Sequence, residues 1–187
     1  MGLLVLGLAI FFSVHVMSSF RDARDTLIAR YGEGAYKGAY SLLSGAGFML
    51  IVWGKAKSDH IALWEPPAWG IPLALWVMPL AFILLVGAYV PSNLKRLTAH
   101  PMLWSVTLWA ALHLLANGDM ASVLLFGAFA VYSLYAMWSQ TQRGAKLSET
   151  ARPASRDLAV VAIGLALYGA AFYGHRWLSG VPLAAIP

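Results

Sequence analysis

WAALHLLANGDMASVLLFGAF, residues Trp109 to Phe129, sets two apolar runs on either side of Asn117, Gly118 and Asp119, and a hydrocarbon interior does not readily accept the asparagine and the aspartate. Upstream, the apolar run reaches back to Pro101, interrupted only by Ser105, Thr107 and His113; downstream it continues to Ser139. Asn117 and Gly118 favour the left-handed backbone that ends a helix, and Asp119 favours the N-cap of the next one. The stretch therefore predicts two antiparallel apolar helices joined by a tight turn.

The rest of the chain has the same character. Of its 187 residues 60% are hydrophobic and 11% charged, whereas soluble domains carry about a quarter charged residues. Apolar segments run over Gly2 to Phe20, Tyr36 to Gly54, Gly70 to Pro91, Pro101 to Ala116, Met120 to Ser139 and Leu158 to Trp177. Each approaches the roughly 17 to 25 residues that cross a bilayer core of about 30 Å. The predicted fold is all-α, a polytopic membrane bundle of about six transmembrane helices. The fourth segment is short, and Pro72 and Pro79 should kink or delay the third. A polar, basic loop, QTQRGAKLSETARPASR (Gln140 to Arg156), reads as a mobile linker. It divides a five-helix body (1–140) and its loop (141–156) from a terminal helix and short tail (157–187). In that helix Ala162, Ala166, Gly169 and Gly174 are spaced for close packing, as are Gly34 and Gly38 earlier in the chain.

Basic residues set the orientation, because short loops rich in Lys and Arg stay in the cytoplasm. Ten of the thirteen fall on loops one, three and five: Arg21, Arg24, Arg30, Lys37, Lys95, Arg96, Arg143, Lys146, Arg152 and Arg156. Lys55, Lys57 and Arg176 fall on the other side, so both termini are expected outside. No basic stretch precedes the first apolar segment, which argues against a cleaved signal peptide. The net charge of +5 thus reflects topology and contact with anionic membrane lipid rather than nucleic-acid binding. The absence of cysteine excludes disulfides, thiolate nucleophiles, iron–sulfur clusters and c-type haem attachment.

Polar groups at membrane depth are costly unless paired, hydrated or functional, which singles out His15, His100, His113, Asn117 and Asp119. His60 and His175 read as surface or interfacial residues. Around His15, Phe11 and Phe12 stand one turn before and Ser18 and Ser19 one turn after; Trp109, Ala110, Ala116 and Asn117 frame His113. An aromatic beside small residues leaves room for a flat apolar ligand. Two neutral imidazoles from different helices would ligate a haem iron axially, with Asn117 or a backbone carbonyl fixing the second nitrogen. A lone membrane histidine equally serves by bonding a neighbouring helix, and the residues alone leave both open. Arg21 and Arg24 are placed near His15 for a propionate or lipid phosphate, and Asp119 is placed to bring a carboxylate near His113. Trp53, Trp76, Trp109 and Trp138 are candidates to line an apolar cavity.

RYGEGAYKGAYSLLSGAGFMLIVWG (Arg30 to Gly54), YVPSNLKRLTAHPMLW (Tyr89 to Trp104), the opening stretch from Trp109 to Phe129 and HVMSSFR (His15 to Arg21) closely resemble the NnrU family of bacterial inner-membrane proteins. The resemblance covers residues 1 to about 140. It implies a multi-pass protein of the bacterial inner membrane associated with denitrification. Through similarity to the zeta-carotene isomerases it also implies haem b between two histidines, and cis-trans isomerase chemistry on a carotenoid or other apolar polyene. Carried over by position, the ligands are His15 and His113. Along helix one His15 lies about 21 Å from the outer end, whereas His113 lies only a few residues from the outer end of its helix; His100, nearer the depth of His15, is therefore the reserve ligand. The His-Pro pair at His100 is also similar to isoprenylcysteine-type membrane methyltransferases. Ala99 stands where they have arginine, and Pro101 at the first helical position accounts for the pair structurally. The contrasting function class is a cofactor-free assembly or regulatory factor acting by protein contact. Self-association into a homo-oligomer is open in either class.

Overall fold

The computed structural model describes residues 1–181 and residue 183. Its helices are α1 (Gly2–Met17), α2 (Arg21–Tyr31), α3 (Glu33–Ala56), α4 (Gly70–Tyr89), α5 (Leu94–Leu97), α6 (Pro101–Ala116), α7 (Met120–Gln142) and α8 (Ala154–Ser179). All six apolar segments are helical. By length and composition three helices qualify as membrane spans, α4, α7 and the Ala154–Trp177 part of α8. Helices α1 and α2 qualify together as a pair bent by 89°, which would make four, against the six expected. The 24 residues of α3 are long enough, but its glycines, serines and charged ends dilute its apolar character; α6, at 16 residues, is short. Helix α2 was expected as loop. It starts at an extended Phe20 and ends at Gly32, whose φ of 84° is open to glycine and strained for other residues.

The chain forms two compact units. The first comprises Met1–Glu65 and Gly118–Ala128 and is built on α1 against α3, with α2 also on α3. Three glycines bring the backbones together. A Cβ on Gly7 would stand 2.6 Å from Ile51 N, one on Gly47 would stand 2.8 Å from Phe11 N, and one on Gly54 would overlap the backbone of Leu4. Leu4 and Ile51 are buried beside them. Close approach of this kind substitutes dispersion for the hydrophobic drive that lipid removes. Gly34 and Gly38, expected in this role, have no described atom within 4 Å of a Cβ. At the far end of α3, residues 61–64 lie along the turn before α7. Leu63 N donates to Gly118 O (2.7 Å), and Met120 N donates to Ile61 O (2.8 Å). This strand-like pairing, with a bridge between Ala62 and Asp119, holds the turn open. Asn117 is accordingly extended (φ −135°, ψ 129°), and neither it nor Gly118 takes the left-handed backbone expected.

The second unit comprises Pro66–Asn117 and the chain from Phe129 onward, with α4 packed on α6, α8 and α5. Helix α4 runs unbroken through both prolines. Pro72 lies in the first turn, where an N–H has no helical partner to lose. Pro79 lies inside, so Leu75 C=O loses its usual donor; Tyr168 Oη of α8 donates to it instead (2.9 Å). From α6, Ser105 Oγ donates to Ala81 O (2.7 Å), and Thr107 Oγ1 shares a bond with Ser133 Oγ of α7 (2.8 Å). Gly164, rather than Gly169 or Gly174, is the close contact of α8, against Ile83. The loop after α7, expected to be mobile, is fastened. Asn93 exchanges two side-chain bonds with the backbone of Arg152, its N–H and Nδ2 both donate to Asp157, and Ser148 N donates to Lys95 O. Trp53, Trp76 and Trp138 face outward rather than into the interior, Trp76 being 86% exposed; Trp109 alone of the four is half-buried.

Candidate functional site

His15 is half-buried in the last turn of α1. Its Nδ1 lies 2.7 Å from Phe11 O. A carbonyl only accepts, so the proton is on Nδ1 and the lone pair of the neutral ring is on Nε2. The imidazole stacks on Phe11 (ring centroids 4.1 Å apart, 25°) and has Tyr40 of α3 at 5.3 Å. Tyr36 follows at 6.5 Å from Tyr40, and the Arg24 guanidinium lies 5.9 Å above its ring. Arg24 also pairs with Asp25 (3.0 Å), while Arg21 is exposed.

In the second unit His113 repeats the arrangement. Its Nδ1 lies 2.8 Å from Trp109 O, again placing the lone pair on Nε2. Trp109 stands 5.1 Å away and meets Phe129 edge-on at 5.6 Å. Of the two ways foreseen to fix the second nitrogen, the backbone carbonyl is the one present. Asn117 Nδ2 donates instead to His113 O (2.8 Å), tying the end of α6. His175 of α8, read from sequence as a surface residue, lies with its ring 6.4 Å from that of His113 and nearly parallel (22°). Its Nδ1 donates to Val181 O (2.9 Å). His100 differs: its Nε2 is on Thr141 Oγ1 (2.9 Å), and its buried Nδ1 has no partner among the described residues.

Asp119 caps α7 as expected, taking Ser122 N–H at 3.0 Å. Its further partners are Lys55 Nζ (2.9 Å) and Ser122 Oγ (2.5 Å), and Lys55 also donates to Ser122 Oγ (2.8 Å). Burial alone would raise this carboxyl, but the bonds from Ser122 and Lys55 outweigh it and bring it down to about 2 from its ordinary 3.8. Lys55 was assigned only to the outer loop. The signal that could have found it was opposite charge at the ends of two successive outer turns.

A family model described as NnrU protein matches residues 3–183. The chain belongs to the NnrU family. No curated protein and no solved structure matches it. The family match runs past residue 140, where recognisable motifs stop, and takes in α8 with His175. Among the described residues of this NnrU-family chain, no three His, Asp or Glu side chains converge to hold a bare metal ion. Haem asks less of the protein, because the porphyrin supplies four nitrogens and leaves one or two axial positions. Imidazoles with Nδ1 fixed by a carbonyl, and so with Nε2 as the donor of the neutral form, and with aromatic rings alongside suit that donor set. His15 and His113 both meet this requirement.

Proposed function

We propose that this NnrU-family chain crosses the bacterial inner membrane six times with both termini outside, and holds haem b on Nε2 of His15 and His113. The observation that carries the proposal is the device shared by the two histidines, a Nδ1–H donated to the carbonyl four residues earlier. It fixes the orientation of each ring and leaves Nε2 as the donor atom of the neutral form, as axial ligation requires. The topology draws support from the loops: within one unit residues 61–64 of loop two meet the turn at 118–120 of loop four, and within the other residues 93–95 of loop three meet 148–152 of loop five.

A bound haem b would supply a redox-active iron for isomerase-type chemistry on an apolar polyene or for a step serving denitrification. The chain's own residues do the rest. Phe11 and Trp109 shield the imidazole faces from water, Asn117 fixes the turn of α6 that carries His113, and Arg24 offers a cation for a propionate. A specific observation favours a second assignment of the ligands: the near-parallel rings of His113 and His175 make His175 the rival to His15.

Pyridine haemochrome content of the detergent-purified protein tests both. The expected result is about one haem per chain, lost in His15→Ala and His113→Ala and kept in His100→Ala and His175→Ala. Loss in His175→Ala with retention in His15→Ala moves the site to the rival pair. A wild type without haem from haem-replete cells rejects the proposal in favour of a cofactor-free factor acting by protein contact.

A further inference from the structure

Where the 93–97 turn meets the loop after α7, a pocket of about 600 Å³ is lined by Asn93, Arg96, Leu97, Leu147, Ser148 and Glu149. Its size falls within the roughly 300 to 1,000 Å³ of small-molecule sites. The Asn93 bonds to Arg152 and Asp157, and the Ser148 bond to Lys95, fix its walls. Two opposite charges face this space without closing on each other. Neither Arg96 nor Glu149 belongs to the ion pairs Arg24–Asp25, Lys37–Glu33 and Lys55–Asp119.

The rim adds hydrocarbon. Leu97 is 79% exposed and Leu147 53% exposed, an arrangement that water disfavours and a membrane interface accepts. Both loops lie at the end that the basic residues assign to the cytoplasm. A ligand matching all of these features carries a phosphate for Arg96, an ammonium a short linker away for Glu149, and acyl chains for the two leucines. We propose that this pocket binds the phosphoethanolamine headgroup of a zwitterionic glycerophospholipid from the cytoplasmic leaflet. A headgroup with phosphate but no ammonium leaves Glu149 facing like charge. The inference is independent of the haem assignment.

Native mass spectrometry of the delipidated full-length protein in detergent tests it, with dioleoyl phosphatidylethanolamine, dioleoyl phosphatidylglycerol, glycerophosphoethanolamine and inorganic phosphate as probes. Wild type should prefer the ethanolamine lipid over the glycerol lipid by about tenfold, the value of one charge-assisted hydrogen bond. Glu149→Gln should bring that preference to parity, and Arg96→Gln should weaken both lipids. Lys57→Gln, at the end of α3 in the other unit, should change neither. Equal binding of both lipids by wild type, or Arg96→Gln and Glu149→Gln behaving as wild type, overturns the proposal. Displacement of the lipid by millimolar inorganic phosphate alone also overturns it, because the pocket then recognises the anion only. Competition by glycerophosphoethanolamine supports headgroup recognition.

Discussion

Helices α1 and α6 each carry one of the proposed ligands, and they are held in their units by different means. Helix α1 rests on α3 through glycine, backbone against backbone, at Gly7, Gly47 and Gly54. Helix α6 is held by hydroxyls, Ser105 on Ala81 O and Thr107 on Ser133, with one glycine contact at its last turn, where a Cβ on Gly70 of α4 would stand 2.6 Å from Leu115 O. Glycine contacts fail abruptly, because a side chain added there must displace a backbone. Hydroxyl contacts fail gently, since hydrogen bonds between membrane helices contribute only about 0.6 kcal/mol on average. The ligand on α1 should therefore be the more easily lost to mutation of its scaffold.

The largest expected effect follows directly. Gly54→Leu forces α1 off α3 and should cost about 3 kcal/mol or more, read as a drop in the midpoint of SDS-induced unfolding and loss of any cofactor dependent on His15. Unchanged unfolding would show that the glycine contact does not secure α1.

Next is the ion pair in the unit of α1. The carboxyl of Asp119 is lowered from 3.8 to about 2, so its stabilisation is present above pH 3.8 and lost as the pH falls toward 2; the full amount is about 2 kcal/mol. Asp119→Asn should lose a similar amount at neutral pH, and its unfolding should no longer respond to acid in that window. A variant that keeps the wild-type acid response would assign the response to another group.

In the unit of α6 the effects shrink, with one exception that sharpens the contrast. Tyr168→Phe strands the Leu75 carbonyl that Pro79 leaves without a donor, and should cost about 1 to 3 kcal/mol. Adding Pro79→Ala restores the helical N–H, so the double variant should recover most of the loss; no recovery would sever the link between the two residues. Ser105→Ala, whose acceptor Ala81 O sits within an unbroken helix, should cost about 0.6 kcal/mol in the same unfolding assay. A cost as large as that of Gly54→Leu would erase the distinction between the two scaffolds.

How far these features were legible depends on the range of the interaction. Apolar length and Pro101 at the first turn gave the helices, because both act locally, and the capping role of Asp119 was equally local. The left-handed turn at Asn117 was misread because the pairing partner, residues 61–64, lies more than fifty positions away. Spacing alone could not distinguish Gly34 and Gly38 from Gly47 and Gly54, since only the facing helix decides which glycine is crowded. His15 and His113 stood out as polar groups within apolar runs. His175 did not, because its ring is brought beside His113 only by the packing of the second unit. Asn93, on a loop noticed only for Lys95 and Arg96, owes its role to Arg152 and Asp157, also distant in the chain.

The central claim, two neutral imidazoles on one haem iron, is tested most directly by electron paramagnetic resonance of the oxidised, detergent-purified wild type together with its dithionite-reduced absorption spectrum. The account predicts a low-spin ferric signal and a b-type reduced spectrum at about one haem per chain, both abolished in His15→Ala and His113→Ala. A colourless protein from haem-replete cells, or a low-spin signal that survives both substitutions, would contradict it.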